Sequence, residues 1–156
     1  MSADIKNAFE SRWGVRLGKR LGFGRDGEVY STDRNTAVKF FTVVETFSRE
    51  RRAYEILAET QISHVAGHAV PEMIRVDESL MAIEMTIVQP PFLLDFALAY
   101  AESEAPHFPE EVWEDWRQQK SEEFGSRWPD VEFILSEFHR LTGLVLLDTN
   151  LGNIQW

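Results

Sequence analysis

The sequence predicts an α+β fold arranged as two small lobes. Three observations lead there: strand-like segments separated by turn residues fill the first third, one helix-periodic stretch interrupts them, and helical patterning takes over in the second half. With 156 residues the chain has room for one domain and not for two ordinary ones. Hydrophobic residues make up 44% and aromatics 12%, enough to build a packed core and to exclude a disordered chain.

The strand segments are Val15–Phe23, Glu28–Thr32 and Thr36–Val43, the last preceded by the turn-forming Asp33-Arg34-Asn35. A helix fits Thr46–Thr60, where Phe47, Ala53, Tyr54, Leu57 and Ala58 recur at helical spacing. Strands follow at Glu72–Asp77 and Leu80–Val88, and Gln89-Pro90-Pro91 breaks the pattern. Phe92–Ala101 is an apolar stretch of helical character, and Pro109–Phe124 reads as an acidic helix. The clearest amphipathic helix is Pro129–Leu141, with Pro129 in the first turn and Gly143 as a stop. Leu144–Leu147 is a short buried strand or loop.

Composition excludes several classes. The absence of cysteine rules out disulfides and thiolate metal sites and fits a reducing compartment. No apolar run approaches the ~20 residues that span a bilayer, and Met1–Glu10 has no signal-peptide apolar core, so a soluble, cytoplasmic protein is expected with no membrane contact. Charge is unevenly placed. Residues 1–60 hold 11 Lys/Arg against 9 Asp/Glu, a net of +2, and residues 61–156 hold 5 against 17, a net of −12. The first third suits a polyanionic ligand such as a nucleotide, whereas the acidic remainder repels a nucleic-acid backbone.

The strongest motif is Gly22-Phe23-Gly24-Arg25-Asp26-Gly27-Glu28-Val29. Glycines let the backbone turn sharply and approach phosphate oxygens, while amide N–H groups point at the anion. Such a pattern also marks dinucleotide-binding turns, but there the glycines open a helix. Here Val29-Tyr30 continues as a strand, which favours a hairpin over phosphates; a ligand-free hairpin is the plainer alternative. Further on, Ala37-Val38-Lys39-Phe40 places a lysine inside an apolar strand, a costly position unless the charge is paired. Strand alternation sets the small Ala37 on the face of Lys39. The partner carboxylate is Glu50 or Glu55 on the next helix, with Glu50 preferred.

Together these features resemble the protein-kinase-like superfamily: a glycine-rich lid, a strand lysine in A-x-K and a helix glutamate. Two later segments match in order. Met81-Ala82-Ile83-Glu84-Met85-Thr86 is similar to the strand that ends in the family's hinge, and Asp148-Thr149-Asn150-Leu151-Gly152-Asn153 resembles its catalytic loop, in the form seen in atypical and small-molecule kinases. The resemblance implies a small antiparallel β-sheet lobe with one helix and hinge over about residues 15–88, and a truncated, mainly helical lobe over residues 89–156, within one domain. It implies ATP under Gly22, Gly24, Gly27 and Val29, with Ala37 leaving room for the base and backbone groups from Glu84 to Thr86 meeting the adenine edge. Ile83 would stand at the back of the pocket. Lys39, paired with Glu50, would hold phosphates, Asp148 would accept the proton of an acceptor hydroxyl, and Asn153 would bind Mg²⁺.

The departures are equally specific. Leu146-Leu147 stands where the family has His-Arg, and Asn150 replaces a lysine. The chain ends at Trp156, before any D-F-G aspartate, and no aspartate follows Asp148. Three readings therefore stand side by side: an ATP-dependent phosphotransferase, a catalytically inactive pseudokinase-type interaction module, or a fragment of a longer kinase. A truncated lobe predicts exposed apolar surface and hence a homodimer or protein partner. His64 and His68 share an i,i+4 spacing but have no acidic neighbour, so no metal set is expected there. Trp113 and Trp116 read as helix packing, while Trp13 and Trp156 are expected to cover apolar surface near the termini.

Overall fold

The strand that carries Lys39 is the middle one of a five-stranded antiparallel sheet in the computed structural model, which describes residues 1–156. In chain order the elements are α1 (Ala3–Trp13), β1 (Leu17–Gly24), β2 (Gly27–Thr32), β3 (Thr36–Phe41), α2 (Val44–Glu59), β4 (His64–Val65), β5 (His68–Ala69), β6 (Met73–Asp77) and β7 (Ala82–Thr86). There follow β8 (Phe92–Leu93), β9 (Ala99–Ala101), α3 (Glu110–Phe124), α4 (Trp128–Thr142), β10 (Leu144–Leu146) and β11 (Ile154–Gln155). The main sheet runs β1-β2-β3-β7-β6 and the fold is α+β, as expected.

The two faces of β3 do different work. Val38 and Phe40 face outward to α1, where Phe9 packs edge-on against Phe40 at 5.4 Å. The hydrophobic pattern singles out no element before Val15, yet α1 has both end signals: the Ser2 hydroxyl accepts from the Ile5 N–H, and Gly14 closes the helix at φ 63°. Asp77 clamps α1 to the sheet by accepting from Arg12 and from the Trp13 indole, each at 2.8 Å. Those bonds, with the Ser79 hydroxyl and the Leu80 N–H, hold the Asp77 carboxyl below its ordinary range against the effect of its burial. Ala37 and Phe41 on the inner face join the larger core, which extends through Tyr54 and Leu57 of α2 to Val131, Ile134 and Phe138 of α4.

The second half departs from expectation. Phe92–Ala101 is not helical: it forms β8 and β9, separated by a turn in which Asp95 has φ 65°. An almost unbroken apolar run offers no polar contrast and hence no period, so tertiary pairing decides its conformation. β8 pairs antiparallel with β11 and β9 with β10, so each half of the run is matched to chain lying beyond α4. His64–Ala69 also forms a small hairpin, with β5 beside β8. The helix expected at Pro129–Leu141 is α4, and Gly143 ends it at φ 73° with its N–H on the His139 carbonyl. Trp116 meets Trp113 and Trp128 edge-on, each at 6.0 Å, and Trp156 packs against Phe124 and His68. No helix is long and apolar enough to cross a membrane.

Candidate functional site

A cleft of about 670 Å³ opens between the inner face of the sheet, α2 and the loops of the second half, a size in the range of small-ligand sites. Its roof is the β1–β2 hairpin, whose register pairs Gly24 with Gly27 across Arg25-Asp26. The three glycines are there for different reasons. At Gly27 a Cβ would lie 1.9 Å from the Phe40 carbonyl oxygen and φ is 153°, so β3 itself demands glycine. At Gly22 and Gly24 a Cβ would meet nothing within 4 Å, and both line the cleft. They leave open a cradle that side chains would fill. Val29 lines the same roof.

Below the roof, Lys39 Nζ donates to Glu50 Oε2 at 2.7 Å and to Asp95 Oδ1 at 3.0 Å. Lys39 and Glu50 are almost wholly buried, at 5% and 1% exposure. Glu55 instead pairs with Arg51 one turn on, at the surface. Burial alone would depress the Lys39 ammonium, but the charges of Glu50 and Asp95 outweigh it and hold its pKa above the ordinary value. Burial is the larger effect at Glu50 and pushes that carboxyl up to about 7 despite the lysine beside it. Ala37 lines the cleft next to Lys39 and leaves the space a bulkier residue would take.

The far edge of the cleft runs from β7 into the segment that follows it. β3 pairs Ala37 with Met85 and Lys39 with Ile83. Met85, Thr86, Ile87 and Val88 line the cleft, while Ile83 is sealed in the core behind Lys39. The Glu84 side chain points to the opposite face by strand alternation. There it is buried, forms an ion pair with Arg75 Nε at 2.6 Å and accepts from the Thr36 hydroxyl at 2.6 Å. The Thr86 N–H is spent on the Glu72 carbonyl, whereas the backbone groups of Ile87 and Val88 have no protein partner.

On the opposite wall stand Asp148, Asn150 and Asn153. Asn153 Nδ2 donates to Asp148 Oδ2 at 3.2 Å and to the Asp148 carbonyl at 3.3 Å, which leaves its Oδ1 free. Asn150 ties its own loop, donating to Asp148 Oδ1 and accepting from the Gly152 and Asn153 N–H groups. Burial, then the negative charge of Asp95, raises the Asp148 pKa above the ordinary carboxylate value.

Asp95 is the cleft residue that sequence reasoning missed. The available signal was a lone carboxylate inside the apolar run Phe92–Leu98. Its neighbours fix it firmly. The Ala97 N–H donates to Asp95 Oδ1 at 3.2 Å, and Arg49 Nε donates to the Ala97 carbonyl at 2.9 Å. Phe96 is stacked on Phe138 of α4 and meets Tyr54 of α2 edge-on, both at 5.3 Å. No group of three or more His, Cys, Asp or Glu side chains clusters in the manner of an all-protein metal cage.

No family model matches the sequence. No curated protein matches it either. Among solved structures the chain is similar to one described as the streptomycin-ATP-APH(2")-IIa ternary complex, at 13% identity and a TM-score of 0.45. The alignment covers 57% of this chain and 29% of the other.

Proposed function

We propose that this chain binds a nucleoside triphosphate in the glycine-roofed cleft and transfers its γ-phosphoryl group to a hydroxyl. The observation that carries the reading is Lys39: a buried ammonium, held by Glu50 and aimed into a cleft whose roof is an open glycine cradle. An ammonium so placed answers phosphate oxygens, and the backbone amides of the hairpin answer the rest. The free backbone groups of Ile87 and Val88 suit the edge of the base, with Ala37 and Met85 against its face.

The donor set also fits Mg²⁺, the partner a triphosphate normally brings. Asn153 presents an unpartnered amide oxygen at the wall. Carboxylates outnumber the single ammonium among Lys39, Glu50, Asp95 and Asp148, a surplus of negative charge that a cation offsets. When bound, the metal neutralises charge on the β- and γ-phosphates. In the transfer, the acceptor hydroxyl oxygen forms a bond to the γ-phosphorus, and the bond to the β,γ-bridging oxygen breaks. The diphosphate leaves with that electron pair, and the hydroxyl proton passes to Asp148. Burial, then the charge of Asp95, raises the Asp148 pKa and makes it a stronger proton acceptor than an ordinary carboxylate.

Calorimetric titration of ATP with and without Mg²⁺ tests the binding, and release of ADP tests the transfer. Wild type is expected to bind and Lys39→Ala to lose most of the affinity. Absence of binding by wild type removes the nucleotide reading. ADP release that Asp148→Ala abolishes supports transfer; binding without any release supports a nucleotide-binding module without chemistry.

A further inference from the structure

We infer that Asp95 is a metal-holding carboxylate of the cleft, delivered to it from ahead of the Asp148 loop. The inference rests on the nucleotide reading and deepens it. Its basis is strand register. β8 pairs with β11 so that Leu93 faces Ile154 and Phe92 faces Gln155. The pairing continues one step, with the Leu94 N–H on the Asn153 carbonyl at 2.8 Å. The next residue along is Asp95, so an antiparallel ladder sets its carboxylate beside the loop that carries Asn153.

Both residues keep one oxygen in reserve. Asp95 Oδ1 accepts from Lys39 and from the Ala97 N–H, and Oδ2 has no protein partner. Asn153 spends Nδ2 on Asp148, which turns Oδ1 outward. A carboxylate oxygen and an amide oxygen on one wall, reached from a phosphate cradle, are hard donors of the type Mg²⁺ takes from a protein while phosphates and waters complete its shell. Asp95 is also accessible, with 28% of its side chain exposed. Lys39 thus sits between Glu50, which anchors it, and Asp95, which it shields until phosphates and a cation arrive.

Mn²⁺ serves as the probe, followed by the spin-resonance signal of the free ion, which disappears on binding. Wild type with ADP is expected to take up the ion, and Asp95→Asn to hold it about tenfold more weakly or worse. Metal-free ADP affinity should not fall in that variant and should rise if it changes, since the Lys39 ammonium remains and a negative charge beside it is gone. The left-handed backbone of Asp95 tolerates asparagine, so the fold is preserved. Asn153→Ala, in the facing loop, must show the same selective loss, and Asp115→Asn on exposed α3 must show none. Unchanged Mn²⁺ affinity in Asp95→Asn overturns the inference. If wild type binds no ADP, the nucleotide reading fails and Mn²⁺ uptake by the protein alone decides: uptake lost in Asp95→Asn upholds the metal assignment, and no Asp95-dependent uptake ends it.

Discussion

The Leu94 N–H donates to the Asn153 carbonyl at 2.8 Å, and this main-chain bond stitches a segment preceding both long helices of the second half to one following them. Through it the acidic wall of the cleft joins Asp95, ahead of those helices, to the loop of Asp148 and Asn153 behind them. Leu93 and Ile154, the facing pair behind that bond, are 0% and 1% exposed. Ile154→Ala should cost about 2–4 kcal/mol in chemical denaturation and also weaken nucleotide binding, because the wall loses its backing. A destabilised variant with full affinity in the folded fraction would show that the wall holds without this pair.

The glycines of the roof should separate into two kinds. Gly22→Ala and Gly24→Ala place a methyl in open cleft space, so affinity for ATP should fall with little change in the melting temperature. Gly27→Ala drives its Cβ against the Phe40 carbonyl and should unfold the protein at markedly lower temperature. Equal melting of all three variants would contradict this division.

Glu50 makes stability depend on pH. Its folded pKa is raised to about 7 from an ordinary 4.5, so the folded state binds that proton more tightly than the unfolded one. The contribution of Glu50 therefore becomes less favourable as pH rises from about 4.5 to 7 and stays constant above, by on the order of 3 kcal/mol. Relative to wild type, Glu50→Gln should look worse at pH 5 than at pH 8. Denaturation curves for the two proteins across that range provide the check, and a difference independent of pH would mean that the carboxyl titrates normally.

Arg75 and Glu84 should matter for the fold and not for the ligand. Arg75→Ala leaves Glu84 buried without its ion pair and should cost about 3 kcal/mol or more in denaturant. Neither residue lines the cleft, so the ATP affinity of the folded protein should be unchanged. A matching loss of affinity would bring Glu84 back to the nucleotide.

What was legible in the sequence follows from the range of the interactions. The glycine hairpin, the β3 lysine and the α2 glutamate lie within a few elements of one another, so local pattern and alternation locate them. The same alternation sets the Glu84 side chain away from Lys39: residues two apart share a face, and Met85 lies with Ile83 on the Lys39 side. Asp95 is different. Its place is created when a strand of two residues meets another beyond α4, and neither is long enough to show a period. The apolar run around it looks helical for the same reason, since an almost unbroken apolar stretch lacks the polar contrast on which periodicity depends.

The ring of Phe96 lies between Tyr54 of the first half and Phe138 of the second, and a stack of that kind resists sliding. The consequence concerns how a ligand gets in. With the halves joined by buried rings, any opening of the cleft is expected at the β1–β2 hairpin, where Phe23 stands 76% exposed. Ligand exchange should then respond to changes in the hairpin and not to changes that loosen the walls.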